Sequence, residues 1–242
     1  MKLHETEAVV LRRKKITGND CYLSLFTRSL GRVEVFARNG NHPKSPLLAG
    51  SQPFVYGLFS LSGAKSFQLR SVIVYNNFYN LRSDMDTMLL ASYLAQTILQ
   101  LTQERESNKL IFESLVNSLA LLEKFPDVAD AILVHFYAVC LKQLGIKPAT
   151  EQCVVCGEST APWFDIASGG RLCANHQTDA SIEAGREIEI MDQALSLPVK
   201  DFINRKYLHE DLSILQHLME TYIDYHLETH LRDTRSQLQD YQ

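Results

Sequence analysis

The sequence predicts an α+β protein in which a strand-rich first third is followed by a helical remainder. Three observations support this fold class. Short runs with alternating apolar residues fill the first 80 residues. From Asp84 onward, apolar residues recur at helical spacing. Two pairs of metal-binding side chains between residues 153 and 176 then predict a metal-stabilised module inserted in the helical part.

The first 80 residues predict a small β-barrel. Turn residues separate five strands, which are predicted at 6–15, 21–27, 32–38, 54–61 and 67–75. An OB-fold fits the strand count and the length, and other small barrels fit nearly as well. The segment 39–51 contains two glycines and two prolines, so it is predicted to be a loop without regular structure.

The remainder predicts helices. Their predicted ranges are 85–99, 110–125, 128–144, 192–205 and 211–232. The hydrophobic period and the sign of the charge both change near residue 80, which predicts two domains at 1–80 and 81–242. The second domain carries the metal-binding module at about 151–178.

The module has the spacing of a tetrahedral zinc site. Two residues separate the members of each ligand pair, which are Cys153 with Cys156 and Cys173 with His176. Such a spacing lets both side chains of a pair point at one Zn²⁺ ion. Four protein donors close the coordination sphere, whereas a catalytic zinc keeps one position for water. The sequence therefore predicts a structural zinc site, and the alternative is a chance cluster of buried thiols.

The residues between the ligand pairs have turn and hairpin character. Gly157 is predicted to turn the chain under the first pair, and Gly169-Gly170 to form a hairpin turn. Trp163-Phe164 is predicted to cover the metal site. The two remaining cysteines, Cys21 and Cys140, lie in apolar patterns and are interpreted as small buried hydrophobic residues.

Composition and charge favour a cytoplasmic protein that binds a polyanion. No apolar run is long enough to span a membrane, and no apolar signal segment begins the chain. Residues 1–80 hold 11 Lys and Arg against 4 Asp and Glu, whereas residues 81–242 hold 13 against 24. A basic first part is typical of nucleic-acid binding, although ordinary variation between domains is the alternative.

The cations of the first part are concentrated in its first 44 residues. The predicted strands place Arg32 and Arg38 on one face, and the loop with Lys44 leaves the same hairpin. OB-folds bind single strands with cationic grooves and stacking aromatics. Three aromatic residues are candidates for stacking, although each is more often a core residue in so small a barrel: Tyr22, Phe26 and Phe36.

Patterns typical of enzymes are weak. The sequence contains neither a dinucleotide-binding glycine motif nor a phosphate-binding loop. His226 and Glu228 match part of the zinc-deaminase signature, but they follow the cysteines instead of preceding them. Two rival interpretations stay open. One is a zinc-dependent hydrolase or deaminase, and the other is a zinc-stapled adaptor that binds only proteins.

Several short motifs occur in a specific order along the chain. Ala-Arg-Asn-Gly at 37–40 leads to Lys-Ser-Pro-Leu-Leu-Ala-Gly-Ser-Gln-Pro-Phe at 44–54. Leu-Gly-Ile-Lys-Pro at 144–148 leads to Cys-Val-Val-Cys-Gly at 153–157. In this order, and over nearly the whole chain, the sequence resembles the RecO family of bacterial recombination mediators and DNA repair proteins.

The resemblance implies an N-terminal OB-fold and a helical C-terminal domain that carries the zinc module. It also implies binding to single- and double-stranded DNA, annealing of complementary strands, and partnership with RecR and with single-stranded DNA-binding protein. Together these activities help RecA to replace that protein on DNA. The resemblance implies that this happens without an enzymatic step and in the cytoplasm, at the nucleoid. By the same resemblance the first DNA-contact residues are Arg32, Arg38 and Lys44, followed by Arg13 and Lys14.

The sequence departs from the family's pattern at two places. Members with the zinc motif usually have cysteine as the fourth ligand, where this chain has His176. Imidazole is a good zinc ligand, so the metal prediction is kept. The family's loop is also usually more basic than residues 39–44, which predicts weaker DNA affinity through this loop or a contribution from protonated His42.

Overall fold

The computed structural model describes residues 2–232. The chain forms two compact units that divide between Pro126 and Asp127. The first unit combines five strands with two α-helices, and the second is mainly helical with a small three-stranded sheet. Within the described residues, no helix has the length and apolar character needed to cross a bilayer.

The first unit is built on a closed five-stranded barrel. Its strands are β1 (Leu3–Lys15), β2 (Cys21–Thr27), β3 (Gly31–Ala37), β4 (Tyr56–Gly63) and β5 (Phe67–Asn76). They follow one another around the barrel in the order β1-β2-β3-β5-β4, and β4 pairs with β1 to close it. Only β3 and β5 pair in parallel. This is a five-stranded barrel of the OB type, and the predicted α+β fold class is confirmed.

Alternation along the strands determines which side chains enter the barrel. In β3, Val33 and Val35 are buried in the core, whereas Glu34 is exposed. In β1 a bulge at Leu11 shifts the register between Val10 and Arg12. A shift of one residue reverses the facing of every later side chain in the strand. The bulge therefore decides which of the following cations point outward.

Two helices extend the first unit beyond the barrel: α1 (Met85–Leu101) and α2 (Lys109–Lys124). The Asp84 carboxylate accepts a hydrogen bond from Thr87 N at 3.0 Å and caps α1. On α2, Phe112 packs against Phe26 with ring centroids 5.9 Å apart and against Tyr56 at 6.3 Å. The helices thus cover one part of the barrel's outer face.

The segment between α1 and α2 is bonded to the barrel. Arg105 N donates to the Arg32 carbonyl at 2.9 Å, and the Arg105 guanidinium donates to the carbonyls of Ala64 and Lys65. A side chain at Gly31 would overlap the backbone of Glu106. The first compact unit therefore extends beyond residue 80. The domain boundary predicted near residue 80 stays a prediction.

The second unit contains α3 (Ala129–Gln143), α4 (Gly185–Ser196), α5 (Val199–Ile203) and α6 (His209–Leu227). Eleven of the fifteen residues of α3 are buried, so this helix forms the centre of the core of the second unit. The segment that carries the four candidate ligands lies between α3 and α4, where the sequence places it.

Two helix predictions in the second unit had the wrong bounds. The helix predicted at 192–205 is two helices, because Pro198 lacks an N–H group and Leu197 before it is extended. The helix predicted at 211–232 begins earlier, at His209, and ends at Leu227. It ends there because Glu228 has a left-handed conformation, with φ of 52°.

Candidate metal centre and nucleic-acid interface

The candidate metal centre is held by two turns and a small sheet. The sheet consists of β6 (Trp163–Asp165), β7 (Gly170–Leu172) and β8 (Ile182–Glu183). In the first turn, Gly157 N donates to the Cys153 carbonyl at 2.9 Å, and Gly157 has a φ of 78°, as its predicted turn role requires. In the second turn, His176 N donates to the Cys173 carbonyl at 3.0 Å. Each turn points its two ligand side chains in one direction.

The four predicted ligands come together in space. Their donor atoms, one each from Cys153, Cys156, Cys173 and His176, all lie within 4.8 Å of one another. The Cys156 and Cys173 sulfurs are 3.7 Å apart, and His176 Nδ1 is 3.8 Å from Cys153 Sγ. A tetrahedral ion with bonds of about 2.0–2.3 Å places its ligands at about these separations. The cluster can hold a metal ion, and sulfur and imidazole donors suit zinc.

The thiols have the electrostatics of a cation site. Burial would raise the pKa of Cys153, but hydrogen bonds from the backbone of Cys156, Cys173 and Val155 outweigh it and lower the pKa to about 6. The Glu158 backbone lowers the pKa of Cys156, yet burial and the neighbouring sulfurs raise it overall. Ionising one thiol therefore opposes ionising the next. A bound cation removes this repulsion between thiolates.

The surroundings of the cluster hold its shape. Trp163 packs against the buried Cys153 and Cys173, as predicted. Phe164 does not cover the site, because alternation along β6 turns its ring to Tyr222 of α6, 5.8 Å away. On the same helix, His226 Nε2 lies 2.9 Å from the Ile166 carbonyl oxygen. His226 therefore supports the hairpin from outside.

Four donors are the number that fills a tetrahedral coordination sphere. The other two cysteines take no part in it. Cys21 and Cys140 are fully buried, as predicted, and burial raises the pKa of the Cys140 thiol. Neither has the exposure of a reactive nucleophile.

Among the predicted DNA-contact residues, Arg13 is turned inward at the end of the barrel. Its guanidinium donates to Gln52 Oε1 at 3.0 Å and to the Gly40 carbonyl at 3.2 Å. These bonds fasten both ends of the loop predicted at 39–51, which consists of turns and one short 3-10 helix, Ala49–Ser51. Arg13 therefore shapes the loop, a role that charge pattern alone did not reveal.

Arg32 lies on the outer face of β3 and is also held internally. Its Nε donates to the Thr102 carbonyl at 3.2 Å, and its guanidinium lies 4.0 Å from the Glu104 carboxylate. Its contribution to DNA binding remains a prediction.

The other three predicted cations are exposed: Lys14, Arg38 and Lys44. Within residues 2–232, their charged groups have no ion pair or hydrogen bond. Lys14 lies outside the barrel on β1, Arg38 follows β3, and Lys44 lies in the loop. These three charges are available to a polyanion.

Two family models match the chain. "Recombination protein O N terminal" covers residues 1–76 and "Recombination protein O C terminal" covers residues 82–235. The DNA repair protein RecO of Alkaliphilus metalliredigens is 32% identical over 242 residues, which cover 93% of this chain and 94% of the relative. RecO of an Exiguobacterium species is 29% identical, with 96% and 94% covered, and RecO of Bacillus pumilus is 33% identical, with 72% and 68% covered.

Proposed function

Because this chain belongs to the RecO family of DNA repair proteins, we propose that it is a non-enzymatic mediator of homologous recombination. It binds single- and double-stranded DNA and anneals complementary strands. With RecR it helps to load RecA onto DNA that is coated by single-stranded DNA-binding protein. The observation that carries this proposal is an OB-type barrel with unpaired cations outside, in a chain that matches the family over nearly its full length.

The proposed DNA contacts are electrostatic. Lys14, Arg38 and Lys44 neutralise backbone phosphates. Arg13 and Arg32 are secondary phosphate contacts, because their side chains already hold the loop and the helix connection in place. Phosphate contacts carry little sequence information and release counterions, so binding weakens steeply with salt. Masking phosphate charge on two strands lets complementary bases meet and pair.

We further propose that the Cys3His cluster binds Zn²⁺ and that the ion stabilises the fold of the module. The donor set and the 4.8 Å limit on the donor separations support this assignment. A bound zinc holds the two turns together. The residues of this chain then keep the ion closed to substrate, since all four positions are taken by protein donors.

The charge of the second unit favours protein partners over DNA. Residues 127–242 hold 9 Lys and Arg against 18 Asp and Glu, whereas residues 1–126 hold 15 against 10. An acidic surface repels DNA, so we assign DNA binding to the barrel of the first unit. RecR and single-stranded DNA-binding protein are the partners that membership of the family suggests.

The test is annealing of two complementary oligonucleotides coated with the cognate single-stranded DNA-binding protein, followed across a salt series. We expect this protein to accelerate annealing and the acceleration to fade with salt. Reversing charge with Lys14→Glu, Arg38→Glu or Lys44→Glu should weaken DNA binding and reduce the slope of log affinity against log salt by about 1 per contact. The exposed Lys200 lies in the second unit, so Lys200→Glu is the matched control.

The outcomes separate the alternatives. No binding at low salt, with the protein folded, would contradict the mediator and favour an adaptor that binds only proteins. Equal loss in Lys200→Glu would show that net charge acts without a defined barrel surface.

A further inference from the structure

Two aromatic rings stand side by side on the outside of the barrel. The strand register places Lys14 opposite Tyr22 and Tyr22 opposite Phe36. The two rings are 5.5 Å apart at an angle of 59°. Tyr22 is 44% exposed and Phe36 is partly exposed. The pair therefore forms a continuous aromatic surface across β2 and β3.

The helices of the first unit leave this surface open. Phe26 of β2 is a third aromatic residue on the outer face of these two strands, and it is completely buried against Phe112 of α2. Tyr22 lies four residues before Phe26 in β2. Because side chains alternate between the faces, the two residues share a face and are two positions apart along it. Helix packing thus explains the burial of Phe26 and leaves the exposure of Tyr22 and Phe36 unexplained.

Cations surround the open pair. Arg12 and Lys14 lie on the outer face of β1, and Arg38 follows Phe36 by two residues. Arg12, like the other two, makes no ion pair or side-chain hydrogen bond within residues 2–232. One exposed carboxylate, Glu34, shares the face, in the cross-strand row of Ser24 and Arg12. The face consequently offers two rings with an excess of positive charge around them.

We propose that Tyr22 and Phe36 are a stacking platform for the bases of single-stranded DNA, with Arg12, Lys14 and Arg38 holding the flanking phosphates. This inference rests on the proposed function and specifies how the barrel distinguishes single strands from duplex. Unpaired bases can turn onto the rings, whereas the bases of a duplex are stacked on one another. Stacking tolerates any sequence, because every base has a π-face.

The test compares binding of an oligothymidine strand and a blunt duplex of equal length to the full-length protein across a salt series. The double variant Tyr22→Leu with Phe36→Leu keeps apolar side chains on the sheet but removes both rings. We expect its affinity for the single strand to fall roughly 5- to 150-fold, the range for loss of a stacked base. Its salt slope and duplex affinity should match those of the original protein, since no phosphate contact is lost. Tyr22→Phe should bind as the original protein does.

A second variant reports stacking directly and does not depend on the stability of the double variant. Tyr22→Trp places an indole on the platform, and its fluorescence should be quenched by the single strand but not by the duplex. The original protein, with Trp163 as its single tryptophan, provides the baseline.

Each outcome decides the inference. Unchanged single-strand affinity, an equal loss for single strand and duplex, or an unquenched indole would overturn the platform while DNA binding by the cations stands. If the unmodified protein binds neither DNA at low salt, the proposed function fails, and the platform fails with it.

Discussion

His135 of α3 is buried, and its Nε2 lies 3.1 Å from the carbonyl oxygen of Leu197. A carbonyl only accepts, so the neutral ring donates from Nε2. Burial lowers the pKa of His135 below its ordinary value and outweighs the hydrogen bond to Leu197, which raises it. The neutral ring therefore stabilises the fold fully above the pKa of the unfolded chain, about 6.5. This contribution is lost as the pH falls from there toward the lower pKa of the folded protein.

We predict that His135→Gln removes this pH dependence, because an amide donates the same hydrogen bond without titrating near neutrality. The measurement is the free energy of unfolding in urea between pH 5 and 8. The stability of the original protein relative to the variant should be constant above pH 7 and decline below about 6.5. Acid effects on the metal centre are common to both proteins and cancel in the difference. Parallel profiles would contradict the prediction.

Gly31 and Gly18 form a matched pair with φ values of 68° and 76°. A Cβ atom at Gly18 would meet open space, whereas one at Gly31 would overlap the Glu106 backbone. Gly18→Ala should cost about 1–2 kcal/mol from the left-handed conformation alone. Gly31→Ala should cost about 2–5 kcal/mol, because overpacking against backbone adds to that strain. Thermal or urea unfolding of the two variants is the measurement. Equal losses of stability would show that the connection after α1 shifts to accommodate the added methyl group without a loss of stability.

The residue types at the metal centre could be predicted because two short spacings encode them locally. The different roles of Arg13, which is turned inward, and Lys14, which is exposed, could not be predicted. Arg13 is turned inward by the bulge at Leu11, and its partners lie 27 and 39 positions away. Charge pattern assigns a cation to the surface but contains no information about such distant carbonyls and amides.

At the scale of elements, α2 shows why the strand-to-helix change does not mark the end of the first unit. Phe112 fills the space over Phe26, a residue that belongs to the barrel by sequence. Phe112→Ala should destabilise the first unit by about 3–5 kcal/mol, because it removes a buried ring and leaves a cavity. Leu110→Ala is the control on the same helix, where the side chain is 53% exposed and the expected change is within about 0.5 kcal/mol.

Urea unfolding, followed by circular dichroism, distinguishes these cases. Similar small effects of both substitutions would mean that α2 is not part of the barrel's cooperative unit.

The five strands were predictable because alternation and turn residues are local signals. The attachment of the α1–α2 connection was not, since the bond from Arg32 to Thr102 spans 70 positions. The error at 192–205 has a different cause. Leu197-Pro198 is a local signal for a helix end, and a prediction made from apolar spacing alone passes over it.

At the scale of the whole molecule, the metal centre should set the stability of the second unit. We predict one zinc per chain in the purified protein, measured by elemental analysis, and a lower melting temperature after chelation. Cys156→Ser should lose the zinc and melt at a lower temperature, because three donors remain and a structural site needs four.

Cys140→Ala is the control for losing a buried sulfur. It should retain one zinc, since Cys140 lies on α3 outside the cluster. Normal melting of a purified protein that contains no zinc would sink the assignment.

The loop fastened by Arg13 has a consequence for the speed of encounter. Fixing the backbone of one residue costs about 1–2 kcal/mol of conformational entropy, and a disordered loop incurs this cost each time it binds. In this chain the loop is already shaped during folding, by the bonds from Arg13 to Gly40 and Gln52. Lys44 is consequently presented on a preorganised surface, and a strand that diffuses onto the barrel does not have to wait for the loop to assemble.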